Sequence, residues 1–521
     1  MDDSSLEVVS VAKTDLLVGI DVGATGIKAG IFDARGALVA SASRRNAPKP
    51  QEDDSSLLVW DGDEIWGKVC DALREVVAAV DDRSRLRGVA VTGFGADGTP
   101  MSADGRQLYP FISWHCARTL PQVQRVLQMM GGYEIYRITG YHNYTFNTIN
   151  RLLWLKEHAP GVLESAHKWL MMQDFIAYKL SGSFSTECTI ASTTMLLDMN
   201  TRRFSPRMLE LAGVPEELFP PISESGAVVG AVTRQAAEAT GLPEGMPVAA
   251  GGHDCEIGML GSGVWDASTF VDITGTWEML IAMLDRFVPD REMYDKQIDY
   301  EAHSIPGKYL CQGLMPAGSV VEWVRDRFYV GMSPEDSYAL MAREAAEHRP
   351  GAGGVFVLPA FVRSSGPYAA DRSLGTILGL TTTTSRGQLA RATFEGLCYQ
   401  MRRQLEVIER CAGVSCQRLR VLGGGQKNDF WLQMKADVTG RPVEALEYPE
   451  ATLLGVAILA GVGAGVYGSA EEALKGLQFP VRTFSPNAGV YDAYSRSFEL
   501  SLGISGGLRE FYAGCEKLLA G

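Results

Sequence analysis

LLVGIDVGATGIKAGIFDARGALVASAS, residues Leu16 to Ser43, is the stretch that decides the fold of this chain. An apolar run ends at Asp21 and leads into the turn Gly23-Ala24-Thr25-Gly26, and a second apolar run breaks at Arg35-Gly36. This pattern predicts two successive β-hairpins, with glycines where the backbone needs positive φ or approaches a ligand closely. An acid beside a Gly/Thr turn suits a site for a phosphate and its metal, because backbone N–H groups bind phosphate oxygens while a carboxylate holds the hydrated cation. An ordinary edge hairpin is the alternative.

The bulk composition limits the class of protein. The chain has 521 residues, more than one hydrophobic core accommodates, so we expect about two domains. Hydrophobic residues make up 46% and charged residues 21%, which is typical of globular proteins. The formal net charge is −14, and no long run of Lys and Arg occurs. These features argue against a nucleic-acid partner bound through its phosphates.

Three further features bear on location. Nine cysteines are scattered without a CxxC pair, which predicts free thiols in a reducing compartment rather than disulfides or a zinc site. Residues 1–15 are acidic and lack the apolar region of a signal peptide, so we expect a loose leader and a cytoplasmic protein. Residues 451–470 carry no charge over a transmembrane length. Their five glycines, without flanking aromatic or basic belts, favour a buried helix over a membrane span.

Acids follow predicted strands at several points. The strand RGVAVTG (87–93) leads to Asp97, and the strand beginning at Pro247 leads through two glycines to His253 and Asp254. Ligands of open α/β sheets bind at the carboxyl ends of strands, so these acids are candidate site residues. FVDITGTWEMLIAML (270–284) repeats the pattern of the opening stretch, so we expect the second half of the chain to repeat the architecture of the first. Helical periodicity predicts further elements at 61–80, 147–157, 168–180, 322–329 and 385–411.

The motifs exclude several chemistries and favour one. No GxxxxGK[ST] occurs, which excludes a P-loop enzyme, and the GxGxxG at 463–468 follows a helix-like run instead of a strand. Glycine turns at 23–26, 275–276 and 423–425, together with the strand-end acids, fit phosphoryl transfer. That chemistry needs N–H groups and Mg²⁺ on the phosphates, and a carboxylate that accepts the proton of the attacking hydroxyl.

Four motifs in order resemble the FGGY family of carbohydrate kinases: DVGATGIKAG, GGHD (251–254), TGTWE (274–278) and GGGQKN (423–428). The resemblance covers about residues 15–500. It implies an α/β fold of two actin-like, ribonuclease H-like ATPase domains with an interdomain cleft. The N-terminal domain would span residues 15–253 on the sugar and phosphate side, and the C-terminal domain residues 254–500 on the nucleotide side. Within the family, VTGFGADG, YPFISWHCART and FNTINRLLWLKEH are most like the members that act on L-fuculose.

The resemblance also implies roles for individual residues. Asp254 would be the general base and would contact the sugar, and Asp21 would hold the metal. The positions that match phosphate or nucleoside contacts are Gly23, Ala24, Thr25, Lys28, Gly275, Thr276, Gly318, Gly424 and Asn428. The positions proposed for the sugar are Asp97, Trp114, Arg118 and Asn147. Alternatives stay open at several of them: Asp254 as a capping acid, Asp21 or Lys28 as a solvated charge, Gly424 as a tight turn, and Trp114 as a core residue.

The implied activity is phosphorylation of the terminal primary hydroxyl of a ketose by ATP with Mg²⁺, with L-fuculose as the expected sugar. A kinase for xylulose, ribulose or erythritol is the alternative within the same class. A non-catalytic sugar sensor or an actin-like scaffold on the same fold is the alternative from another class. The expected partner is a small sugar, with neither nucleic acid nor membrane, and the family also allows a homodimer.

Overall fold

A computed structural model describes residues 14–361, 373–448 and 450–519 of the chain. The leader expected at residues 1–15 therefore lies outside the described residues, apart from Thr14 and Asp15. All nine cysteines are free, as predicted.

The strands alternate with helices along the chain. They are β1 (Leu16–Val22), β2 (Gly26–Asp33), β3 (Leu38–Arg45), β4 (Lys49–Gln51), β5 (Asp54–Trp60), β6 (Leu86–Gly93), β7 (Gly98–Met101), β8 (Phe111–Ile112), β9 (Lys168–Met171), β10 (Thr186–Glu187), β11 (Leu197–Asp198), β12 (Arg203–Phe204), β13 (Ile222–Ser223), β14 (Val228–Ala231), β15 (Pro247–His253), β16 (Thr269–Thr274), β17 (Trp277–Leu284), β18 (Ile298–Ala302), β19 (Tyr309–Pro316), β20 (Phe356–Leu358), β21 (Thr376–Leu378), β22 (Arg418–Leu422), β23 (Val443–Leu446) and β24 (Val481–Phe484).

The α-helices cover the faces of the sheets. They are α1 (Gly62–Ala78), α2 (Leu120–Met129), α3 (Gly132–Thr139), α4 (Thr148–His158), α5 (Pro160–Glu164), α6 (Met172–Ser181), α7 (Cys188–Ser192), α8 (Pro206–Ala212), α9 (Arg234–Thr240), α10 (Asp254–Gly261), α11 (Arg291–Asp295), α12 (Gly318–Phe328), α13 (Pro334–Ala346), α14 (Arg386–Ala412), α15 (Asp429–Thr439), α16 (Ala451–Gly463), α17 (Ala470–Gly476), α18 (Ala488–Gly507) and α19 (Arg509–Leu519).

The first large sheet has the order β14-β15-β6-β1-β2-β3. Strand β1 pairs antiparallel with β2 and β2 pairs antiparallel with β3, which confirms the two predicted hairpins. Strands β1, β6 and β15 run parallel to one another, so their carboxyl ends meet at one edge. The side chains of α1 and α6 pack against the apolar residues of β1, β2 and β6 and form the core of this half.

The second large sheet has the order β18-β19-β17-β16-β22-β23-β24. Strands β16, β17 and β19 form antiparallel neighbours as β1, β2 and β3 do, and β22 and β23 add parallel strands as β6 and β15 do. The expected repetition of architecture is therefore confirmed by strand order. All strands of the first large sheet precede residue 254 in the sequence, and all strands of the second follow it. The domain boundary at residues 253 and 254 stays a prediction.

The helix predicted over 168–180 is wrong in its first four residues. Residues 168–171 form β9, which pairs antiparallel with β7, and the helix α6 begins only at Met172. The pairing is close: a Cβ atom built on Gly98 of β7 would lie 2.1 Å from Trp169 Nε1. A strand partner about seventy residues earlier decides this local structure, because tertiary context overrides weak helical periodicity.

Residues 451–463 of the apolar stretch 451–470 form the helix α16, which lies buried against the first sheet although its place in the sequence is between β23 and β24 of the second sheet. Glycines allow the contact: a Cβ atom built on Gly19 of β1 would lie 2.6 Å from Leu453 O. The prediction of a buried helix is confirmed. Within residues 14–361, 373–448 and 450–519, no helix combines the length and the apolar character needed to cross a membrane.

The helix α16 also packs closely against α10. A Cβ atom on Gly261 of α10 would lie 1.7 Å from Ala451 O, and a Cβ atom on Gly455 of α16 would lie 2.1 Å from Ile257 O. Backbone oxygens cannot move aside as a flexible side chain does, so both positions require glycine. This contact fixes the position of α10, whose first residue is Asp254.

Substitution of Gly455 by Ala tests this contact. Ala is the better helix former by about 1 kcal/mol, but the new methyl group overlaps Ile257 O, and overpacking typically costs about 1–3 kcal/mol. We therefore expect Gly455→Ala to lower the thermal unfolding midpoint. The matched control is Gly67→Ala in α1, where a Cβ atom meets no heavy atom within 4 Å, and its midpoint should rise. A rise in both variants would contradict the packing described here.

Candidate active site

The carboxyl ends of β1, β6 and β15 bring Asp21 and Asp254 to the same edge of the first sheet. Asp21 lies in register with Thr92 of β6, and Thr92 lies in register with Gly252 of β15. The Thr92 hydroxyl donates a hydrogen bond of 2.7 Å to Gly252 O, which ties these strand ends together. Asp254 follows β15 directly, and its charge acts on Asp21 strongly enough to raise the pKa of that carboxyl.

The glycine pair of GGHD shapes the passage from β15 to α10. The register of β15 against β6 shifts between Ala250 and Gly252, so Gly251 is an extra residue in the strand. A Cβ atom on Gly251 would lie 1.8 Å from Val91 O, which excludes any side chain. Bulges next to active sites re-aim the residues that follow them. The side chain of Asp254, 28% exposed, is thereby presented at the edge of the sheet.

Asp21 lies in an environment that favours a cation. Its Oδ1 atom is buried and has no hydrogen-bond partner within the described residues. Burial first, and then the Asp254 charge, raise the pKa of Asp21 to about 8, although Lys28 acts in the opposite direction. Two neighbouring carboxylates with a free buried oxygen fit a hard divalent cation such as Mg²⁺. Lys28 itself pairs with Glu450, just before α16, at 2.9 Å.

The first glycine turn, residues 23–26, is held by Asn46. Gly23 N donates to Gly26 O at 3.0 Å and closes the turn. The buried Asn46 side chain donates to Gly23 O at 3.0 Å, and its backbone N–H donates to Thr25 O at 3.0 Å. Sequence reasoning missed Asn46. Its neighbour Arg45 pairs with Gly26 in the second hairpin, and this register could have pointed to it.

The second glycine turn, Gly275-Thr276, is exposed and contacts the start of α12. Gly318 N donates to Gly275 O at 3.0 Å, and Ser319 N donates to Thr276 O at 3.1 Å. A Cβ atom on Gly318 would lie 2.3 Å from Gly275 O, so the contact requires glycine. Gly318, predicted to line the nucleoside pocket, therefore supports this turn.

A buried lysine holds the strand that carries the second turn. Lys435 of α15 forms ion pairs with Asp272 and Glu278, and its Nζ donates to Thr274 Oγ1 at 2.8 Å. Burial raises the pKa of Glu278 to about 7, and Lys435 opposes the rise. Asp272 of β16 lies near its turn, as Asp21 of β1 does, but Lys435 neutralises it. Nothing near Lys435 in the sequence indicates this role.

The third glycine turn contains two glycines that packing requires and one that it does not. Gly423 has φ +84°, and a Cβ atom there would lie 2.7 Å from Thr274 O; on Gly425 it would lie 2.6 Å from Thr274 Cγ2. A Cβ atom on Gly424 meets no heavy atom of the described residues within 4 Å. Packing within the chain therefore gives no reason for glycine at 424. Asn428 Oδ1 accepts from Trp431 N at 3.1 Å and caps α15.

Asp97 is fully buried and its carboxylate is occupied by protein groups. Its Oδ1 lies 2.7 Å from Arg151 Nη2, while its Oδ2 accepts from Trp60 Nε1 at 2.7 Å and from Trp114 N at 3.0 Å. Burial raises the pKa of Asp97, and Arg151 opposes that rise. Asp97 thus fixes the segment that carries Trp114.

The remaining sugar candidates differ in exposure. Asn147 is buried, and its amide accepts from Tyr144 N at 2.7 Å and donates to Thr193 O at 3.0 Å. Arg118 is half-buried and donates to Gln51 Oε1 at 3.1 Å, with its guanidinium 5.0 Å from the centre of the Trp154 ring. Trp114 is half-buried and stacks on the exposed His115 at 3.7 Å.

A charged pair that sequence reasoning missed lies directly behind Asp254. His253 Nδ1 lies 2.8 Å from Glu301 Oε2 of β18, and Tyr141 and Gln312 donate to the other oxygen of Glu301. Burial alone would lower the pKa of His253, but Glu301 raises it well above its usual value. Burial would raise the pKa of Glu301, but His253 lowers it to about 2. The pair joins the end of β15 to the second sheet.

Two family models match the chain. The N-terminal domain of the FGGY family of carbohydrate kinases matches residues 16–261, and its C-terminal domain matches residues 271–464. Together they cover most of the chain, in the order that the four sequence motifs predicted.

Individual proteins give the same picture. L-fuculokinase of Escherichia coli (strain K12) is 33% identical over 474 residues, which cover 91% of this chain and 98% of that protein. Autoinducer-2 kinase of the same strain is 30% identical over 506 residues, 92% of each chain. The structure of xylulose kinase from Rhodospirillum rubrum superposes with a TM-score of 0.86 at 24% identity, covering 96% of this chain and 100% of that one. The expected two-domain α/β fold of the actin-like, ribonuclease H-like ATPases is confirmed.

Removal of the Asn46 side chain tests the support of the first turn. Asn46→Ala leaves the half-buried Gly23 carbonyl without its donor, and the cost is at most the about 1–3 kcal/mol of a buried unpaired acceptor. We expect faster amide hydrogen exchange at residues 23–26. Asn487→Ala is the matched control, because it removes the cap of α18 far along the chain and should leave exchange at this turn unchanged. Equal exchange at 23–26 in Asn46→Ala and the unaltered protein would contradict the bracing role.

Proposed function

The chain belongs to the FGGY family of carbohydrate kinases, and we propose that it phosphorylates L-fuculose at the terminal primary hydroxyl. Kinases of this family use ATP as the phosphate donor. The observation that carries the proposal is the position of Asp254. Its side chain is partly exposed at a strand end, beside Asp21, whose environment favours a bound cation. The 33% identity to an L-fuculokinase over 91% of the chain supports the choice of sugar.

Asp254 is the proposed general base. A carboxylate at the open edge of the sheet can accept the proton of the sugar hydroxyl as its oxygen attacks the γ-phosphorus. The close contact of α10 with α16 and the bulge at Gly251 hold this carboxylate in place. Such positioning matters because proximity and orientation supply a large part of the rate in phosphoryl transfer.

Asp21 is proposed to hold Mg²⁺. The unpartnered Oδ1 atom and the raised pKa of Asp21 support this assignment. Bound Mg²⁺ would neutralise charge on the phosphates of ATP. The turns at Gly23-Ala24-Thr25 and Gly275-Thr276 are proposed to donate backbone N–H groups to phosphate oxygens. Lys28 is proposed to reach the phosphates as well, which requires it to leave Glu450.

The nucleoside is proposed to lie along α12 and the third glycine turn, near Gly318, Gly424 and Asn428. The open space at Gly424 supports this, because a ligand would explain a glycine that the fold itself does not require. For the sugar, we propose that Trp114 and Arg118 contact it directly, since both are half-buried. Asp97 and Asn147 are buried and bind protein groups, so we propose that they shape the loops beside it.

Replacement of Asp254 by Asn tests the general base. A positioned base contributes about 10²–10⁴-fold, so kcat should fall by at least about 10²-fold while ATP binding is nearly unchanged. Asp71→Asn, on the exposed face of α1, is the control and should keep full turnover. Calorimetric titration with ATP and a coupled assay of ADP release measure the two quantities. Full activity of Asp254→Asn would refute the assigned role.

A panel of substrates tests the choice of sugar. L-fuculose, xylulose, ribulose, erythritol and autoinducer-2 are compared by kcat/KM in the same assay of ADP release. We expect L-fuculose to give the highest value. A clear preference for another member of the panel would correct the substrate and keep the kinase. A chain that binds a sugar without releasing ADP would be a sensor.

A further inference from the structure

Three consecutive side chains at the start of α10 converge on one point. His253 Nε2 lies 3.5 Å from Asp254 Oδ1, and Cys255 Sγ lies 3.3 Å from the same oxygen. The three candidate ligand atoms all lie within 4.8 Å of one another. Ligands of a tetrahedral zinc ion, at bond lengths of about 2.0–2.3 Å, lie about 3.3–3.6 Å apart. The two measured distances fall in or near that range without any rearrangement of the chain.

The surroundings of His253 complete the arrangement. Its Nδ1 atom is engaged by Glu301 at 2.8 Å, which leaves Nε2 directed toward Asp254 and Cys255. A carboxylate behind the imidazole is the usual outer partner of a metal-binding histidine. Gly95 faces Nε2: a Cβ atom there would lie 2.9 Å from it, so glycine keeps a side chain out of this space.

We propose that His253, Asp254 and Cys255 form a binding site for a zinc-class divalent cation, and that its occupation inhibits the enzyme. A thiolate and an imidazole select Zn²⁺ or Co²⁺ over Mg²⁺, which prefers oxygen ligands. Asp254 and Cys255 are both half-buried, so the fourth position is open to water from the sheet edge. Binding displaces the thiol proton of Cys255 and the Nε2 proton of the charged His253 to solvent.

Inhibition follows from the shared ligand. Asp254 cannot accept a proton from a hydroxyl while its Oδ1 atom binds a cation. This consequence rests on the proposed function, whereas the metal site itself does not. Cys255 has no part in the proposed phosphoryl transfer. Replacement of Cys255 therefore separates metal binding from the kinase activity.

Cobalt binding tests the site without turnover. Co²⁺ added to the metal-free full-length protein should produce a thiolate-to-cobalt charge-transfer band with tetrahedral visible bands, and Cys255→Ser should lose the charge-transfer band. Cys515→Ser, an equally half-buried cysteine on α19, should keep both. A wild-type protein without these bands, or a band that persists in Cys255→Ser, would overturn the site.

Zinc inhibition tests the consequence. At constant Mg²⁺ and ATP, Zn²⁺ should inhibit the wild type and Cys515→Ser alike. In Cys255→Ser the half-inhibitory concentration should rise at least about tenfold, since even loss of an outer partner weakens metal sites about 10–100-fold. Equal inhibition of all three proteins would overturn the inhibitory role. An enzyme inactive on every sugar would refute the proposed function, and the cobalt spectra would still decide the site.

Discussion

The parallel ladder of β1, β6 and β15 is the constraint on which the site depends. Thr92 lies at its centre, in register with Asp21 on one side and Gly252 on the other. Since these strands end together, two carboxylates far apart in sequence meet at one edge. Position 251 must be glycine, because Val91 O leaves no room for a side chain there. The bulge at this residue directs the chain into α10 and so places Asp254 at the edge. The position of Asp254 therefore depends on a steric restriction in the sheet.

The helix α16 connects this edge of the first sheet to other parts of the molecule. It lies between β23 and β24 in the sequence but packs on the first sheet, and its glycine contact with α10 fixes the helix that begins at Asp254. Glu450 at its start binds Lys28 of β2. Together with the pair of His253 and Glu301, these contacts connect the opening hairpins, the proposed base and the second sheet. Displacement of either sheet relative to the other would strain them all.

Local sequence predicted those parts of the structure that depend on local chemistry. The hairpins at 16–43, the strand before Asp254 and the long α14 follow from periodicity and turn residues, and the order of four motifs indicated the family. Local sequence could not predict contacts between residues that are far apart in the chain. Asn46, Glu301 and Lys435 act on segments tens to hundreds of residues away, and β9 exists because β7 pairs with it. The sequence motifs point to Asp97 and Asn147, but the protein groups that these side chains bind are evident only in the folded chain.

The two halves repeat one topology but differ in the charges beside their glycine turns. Asp21 of β1 keeps a buried oxygen that has no hydrogen-bond partner among the described residues, whereas Asp272 of β16 is paired with Lys435. A cation can therefore bind a carboxylate oxygen beside the first glycine turn, while the acid beside the second turn is already paired. If ATP lies between the two turns as proposed, its metal-bound end is attracted to the first sheet, and this attraction orients the phosphate chain.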